Sequence, residues 1–218
     1  MPRAPLLSFL FFIATLPACL AGESTATPRA VYEQRALKIA TSLKLADTAK
    51  SNRVATLIAN QYQALARIHA VRDEKIKTAK AAPGSDKSAT TASVEAARND
   101  ATRAQNELHV TYLSKLAKEL SPAEIDQVKD GMTYGVVPLT FRVYQEMLPN
   151  LTQAQKDQIY AWLVEAREQA MDASTSEEKH GWFGKYKGRI NNYLAAAGID
   201  LKQAERDRAA RTQSTAKP

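Results

Sequence analysis

Apolar residues recur at helical spacing through nearly the whole chain. Val31, Leu37, Ile39 and Leu43 predict one short helix between Val31 and Leu45. Asp47 can then cap a long helix, in which Val54, Leu57, Ile58, Tyr62, Leu65, Ile68 and Val71 follow at intervals of three and four. That helix ends in AAPGSDKSATT, residues 81–91, whose Pro, Gly and Ser read as a loop. A third helix, from Ser93 to about Leu120, is polar early and apolar late, with Leu108, Tyr112, Leu113 and Leu116. Two long helices joined by one loop predict an antiparallel hairpin.

The second half carries sharper punctuation. Ser121-Pro122-Ala123-Glu124 is a complete helix start, with Ser as N-cap, Pro at the first position and Glu at the third. Thr152 and Gln155 repeat the device. Between them, residues 130–150 contain Gly131, Gly135, Pro138 and Pro149, and predict an irregular loop followed by a short helix from about Leu139 to Leu148. Helices are expected over 153–173, 178–197 and, with Asp200 as N-cap, 201–210. The tail RTQSTAKP, residues 211–218, reads as disordered. The fold class is therefore all-α: a long N-terminal helical hairpin packed with a C-terminal group of shorter helices, forming a single domain over 22–210.

The opening, MPRAPLLSFLFFIATLPACLAG, falls outside this pattern. Arg3, an apolar run from Leu6 to Thr15 and then small residues have the layout of a secretory signal over residues 1–21. The run is too short to span a bilayer stably. Cleavage after Ala21 or Gly22 is one reading. Leu16-Pro17-Ala18-Cys19 approximates a bacterial lipobox, and in that reading Cys19 becomes a lipidated N-terminus attached to the membrane. Both lead outside the cytoplasm, to a periplasmic or extracellular site. Cys19 is the sole cysteine, so no disulfide framework exists although export would permit one.

Charge adds little. Removing the signal takes away Arg3 and no acid, which lowers the formal net charge from +7 to +6. That balance suits an anionic partner such as an acidic glycan, but the charges are interspersed on helices and export sets nucleic acid aside. Aromatic residues are more informative: after the signal, nine of twelve fall between Tyr134 and Tyr193, which places the distinctive surface in the back half.

Its densest stretch is EEKHGWFGKYKGRINNY, residues 177–193. At ~100° per residue, Trp182, Phe183, Tyr186, Ile190, Tyr193 and Leu194 gather on one face as expected core. Gly181, Gly184 and Gly188 form a bare strip on the other side with Asn192, edged by Lys185 and Arg189 on one flank and His180 on the other. Such a strip serves either close helix packing or a shallow groove for hydroxyls and carboxylates. The candidate ligand-binding residues are His180, Gly184, Lys185, Gly188, Arg189 and Asn192.

Candidate chemistry elsewhere is thin. Glu165, Glu168 and Asp172 form a carboxylate stripe that reads as a solvated face, and His69 with Asp73 reads as a surface pair. Glycoside hydrolysis needs two carboxylates ~5 to 10 Å apart across a cleft. There is no HExxH, no CxxC, no phosphate-binding P-loop and no G-x-S-x-G. No catalytic residue, metal site or cofactor is assigned.

Two resemblances sharpen the expectation. DGMTYGVVPLTFRVYQEMLPNLTQAQKDQI and EAREQAMDASTSEEKHGWFGKYKGRINNYLAAAGIDL closely resemble an exported bacterial family, domain of unknown function 3826, over most of the mature chain. The resemblance implies sugar binding and supplies no catalytic residues. LTQAQ also matches the L-T-x-x-Q signature of small periplasmic helical chaperones, although a capping box after a leucine explains it equally. Carbohydrate binding without a cofactor is the leading expectation; a glycan-active enzyme and a periplasmic chaperone are the alternatives. An enzyme should juxtapose Glu168 or Asp172 with a carboxylate such as Glu146, and a chaperone should show a broad apolar concavity.

Overall fold

A computed structural model describes residues 27–82 and 86–215 of the chain. The expected signal segment, Cys19 and the loop tip at 83–85 lie outside the described residues. Among the described residues there are eight helices and no strand: α1 Pro28–Ser42, α2 Thr48–Ala81, α3 Lys87–Leu116, α4 Pro122–Met132, α5 Val136–Met147, α6 Gln153–Met171, α7 Ser176–Ala196 and α8 Leu201–Thr215.

Side-chain caps start most of these helices. The first backbone N–H groups of a helix have no partner within it, and the expected caps supply one: Asp47 accepts from Ala49 N, Asp200 from Gln203 N. Ser121–Glu124 and Thr152–Gln155 both form reciprocal capping boxes. Asp86 was read as loop, yet it accepts from Ala89 N at 2.7 Å and starts α3 at Lys87, well before Ser93.

Two further boundaries differ from expectation. The irregular segment after Asp130 contracts to Thr133–Gly135, because Tyr134 and Gly135 reverse the chain with φ of 60° and 65°. Pro138 then sits in the first turn of α5, where its missing N–H costs nothing. The tail read as disordered from Arg211 is helical to Thr215, and Arg208 and Arg211 hold it to Glu146 of α5 through its carboxylate and carbonyl, each at 2.9 Å.

Apolar side chains form two joined cores. Ile39 of α1, Val54 and Ile58 of α2, Leu116 of α3 and Met132 of α4 pack in the first. Val137 and Tyr144 of α5, Leu163 and Ala166 of α6, and Phe183, Ile190 and Leu194 of α7 pack in the second. α6 belongs to both, since Met171 at its end reaches the first. At the crossing of α1 and α4, a Cβ on Gly131 would lie 3.0 Å from both Cγ atoms of Ile39, so the helices approach closely there.

The hairpin extends beyond these cores. No residue of α2 after His69 is buried, and the outer arms meet through Val94, Ala97 and Ala101 of α3. Between Ala101 and Tyr112, α3 buries nothing. There the end of α6 and the start of α7 come alongside, and the space between the four helices stays open.

Candidate functional site

That space is a cleft of about 780 Å³. α2 contributes His69 and Arg72, α3 contributes Gln105, Asn106 and His109, α6 contributes Glu168 and Gln169 with its C-cap Asp172, and α7 contributes Gly181, Trp182 and Lys185.

The end of α6 organises its floor. The last carbonyls of a helix lack intrahelical partners, and here other elements supply them. Lys179 Nζ donates to Ala170 O and Met171 O at 2.8 and 2.9 Å. His69 Nε2 and Gln105 Nε2 both donate to Asp172 O at 2.9 Å. A proton on His69 Nε2 follows from its carbonyl partner, and burial lowers the pKa of the ring, so His69 is neutral with its lone pair on Nδ1.

His109 is the opposite case. Its Nδ1 lies 2.6 Å from Asp172 Oδ2 and its Nε2 lies 3.5 Å from Glu168 Oε2. Hydrogen bonds to Asp172 and then to Glu168 raise its pKa to about 9. Glu168 also accepts from Lys129 Nζ of α4 at 2.8 Å. Burial pushes Glu168 up, but the bonds from His109 and Lys129 prevail and hold it down to about 2. Arg167, 2% exposed, completes the cluster by pairing with Asp126 and Asp130 of α4. Near neutral pH His109 is an imidazolium and Glu168 a carboxylate.

Trp182 forms the wall opposite α3. Its indole is half-buried, with Lys185 Nζ 5.1 Å from the ring centroid. An apolar plate thus stands beside ionised groups and the amides of Gln105, Asn106 and Gln169, the first held on Asp172 O.

The pattern of the DUF3826 family, described as a protein of unknown function, matches residues 29–214. The chain belongs to this family. The match takes in every cleft residue. A search of curated proteins finds no match.

The six residues predicted as a ligand-binding strip are all exposed along α7. Lys185 lines the cleft, as does neighbouring Gly181. His180 stacks on Tyr134, with centroids 5.7 Å apart. Arg189 lies over Trp162, 4.5 Å from its centroid, and pairs with Glu165 at 3.4 Å. Gly184, Gly188 and Asn192 are exposed on the outer face of α7. Nothing stands within 4 Å of a Cβ built on Gly181, Gly184 or Gly188, so the close-packing reading of the strip is corrected: among the described residues no second helix covers it.

Three other readings change. The carboxylate stripe is not one solvated face, because Asp172 is 9% exposed and Glu168 is tied to α3 and α4, leaving Glu165 outside. His69 and Asp73 are not a surface pair: His69 is buried on Asp172 O, while Asp73 pairs with Arg72 at 2.8 Å. Trp182, Tyr186 and Tyr193 flank the core formed by Phe183, Ile190 and Leu194, and are only partly buried. Sequence reasoning passed over Gln105 and His109. Their signal was faint: polar residues four apart where a polar stretch of the helix gives way to an apolar one.

Among the described residues, no group of three or more His, Cys, Asp or Glu is placed to hold a metal ion. None of the described helices is long and apolar enough to cross a membrane.

Proposed function

We propose that the protein is exported and binds carbohydrate in the cleft between α2, α3, α6 and α7. The observation that carries this reading is the half-buried Trp182 ring set in a cleft where amides and ionised groups stand among the smaller Thr102, Val110, Ala173 and Gly181. A sugar ring offers an apolar C–H face and a rim of hydroxyls. Indole supplies a flat partner for the first, while Gln105, Asn106 and Gln169 supply donors and acceptors for the second. A concave site with a few fixed polar groups is the usual form of a small-molecule site.

The locked ionisation of His109 and Glu168 favours binding over acid–base catalysis. Glu146 pairs with Arg208 instead of facing Glu168 or Asp172, so the arrangement expected of an enzyme is not met by that residue. The chaperone reading loses its motif, since Thr152 and Gln155 spend their side chains on the α6 cap. Export rests on the signal-like layout of residues 1–21.

A calorimetric screen of the processed protein against neutral, amino and uronic-acid saccharides tests the proposal. At least one class should bind with saturable heat; a panel with no binder overturns the reading. Intact mass from the native host should show a start at Cys19 with lipid or near Gly22 without it, and an unprocessed main species would remove export.

A further inference from the structure

The cleft continues past Arg72. A second hollow of about 400 Å³ shares Arg72, Thr102, Gln105 and Glu178 with it and extends along the hairpin to Ile76 and Arg98. α3 lines both along one side. Its contributions, Arg98, Ala101, Thr102, Gln105, Asn106, His109 and Val110, alternate spacings of three and one and so form one unbroken helical face. At 1.5 Å of rise per residue, the stretch from Arg98 to Val110 is roughly 18 Å long.

Resting on the carbohydrate reading, we infer that the ligand is a linear oligosaccharide laid along this face of α3, with one ring at Trp182 and later units reaching Arg98. A single ring fills only the Trp182 end of such a trough. The four shared residues set the two hollows side by side, so one chain passing over them can reach both. Polar groups continue to the far end: Arg72 is held by Asp73 on the α2 side, and exposed Arg98 stands on the α3 side. A guanidinium there can donate to hydroxyls of a distal unit in a planar fork. A chain ligand also explains why the trough follows the outer hairpin, which adds little to either core but extends α3 as a track.

Titration with monomer-to-hexamer series of xylo-, cello-, chito- and oligogalacturonic saccharides tests this. In the series that binds, affinity should rise at least about tenfold from monomer to tetramer. Arg98→Ala, a substitution at an exposed position, should lower hexamer affinity about tenfold and leave the dimer unchanged. A monomer that binds as tightly as the hexamer, or a hexamer indifferent to Arg98→Ala, overturns the chain ligand while leaving sugar binding in place. Absence of binding at every length in every series overturns the carbohydrate reading, and this inference falls with it.

Discussion

His109 Nδ1 and Asp172 Oδ2 are 2.6 Å apart, and through this contact the middle of α3 is fastened to the end of α6 across the candidate cleft. The contact has a pH signature. His109 has a folded pKa of about 9, above its ordinary 6.5, so its stabilisation is complete below pH 6.5 and is lost as pH rises through 9. Lys179 has the opposite sign, because burial lowers it from 10.5 to about 8 and stability is gained as pH rises above 8. Between pH 6.5 and 8 the loss from His109 outweighs the smaller opposing gains from Lys179 and from His69, whose pKa is lowered by burial. Unfolding free energy should fall there by on the order of 1–2 kcal/mol, and His109→Gln should flatten the slope. Denaturant titrations at intervals across the window measure it; an equal slope in the variant would contradict the assignment.

At the α1–α4 crossing, Gly131→Ala should destabilise by ~1–3 kcal/mol, because the new methyl group meets Ile39 at 3.0 Å. Ile39→Val in the same chain should recover part of the loss by giving room. A denaturant midpoint unchanged by Gly131→Ala would show that the crossing is looser than described.

Gly184 predicts the reverse sign. Its backbone is helical and nothing lies within 4 Å of a built Cβ. Gly184→Ala should then stabilise the protein by up to ~1 kcal/mol through helix propensity alone. Loss of stability would mean that a partner surface covers the strip.

The helical architecture was legible because it is written in local terms. Ser121 with Glu124 and Thr152 with Gln155 form caps within one turn, and Phe183, Ile190 and Leu194 share a face by simple periodicity. The cleft is written otherwise. Asp172 meets His69 across 103 residues of chain and His109 across 63, and no local spacing reports either meeting. Periodicity placed Glu168 and Asp172 on one stripe of α6 but could not say that α3 and α4 face it. On α7 the apolar arc was read as uniformly core, whereas its centre is buried and Trp182, at its margin, turns to the cleft. The strip of glycines drew notice as an anomaly of composition, yet only Gly181 of its three glycines reaches the cleft, beside Trp182 and Lys185.

Whether sugar binds against Trp182 in the cleft and not on the outer face of α7 is decided by titrating one binding saccharide into Trp182→Ala and Arg189→Ala. The indole is half-buried, so its loss should cost about 1–2 kcal/mol of stability and leave the fold intact by circular dichroism. Trp182→Ala should weaken binding at least about tenfold, while Arg189→Ala, which removes only an exposed pair with Glu165 and a stack on Trp162, should bind as the parent does. Full affinity in Trp182→Ala with loss in Arg189→Ala would contradict the claim and return the site to the glycine strip.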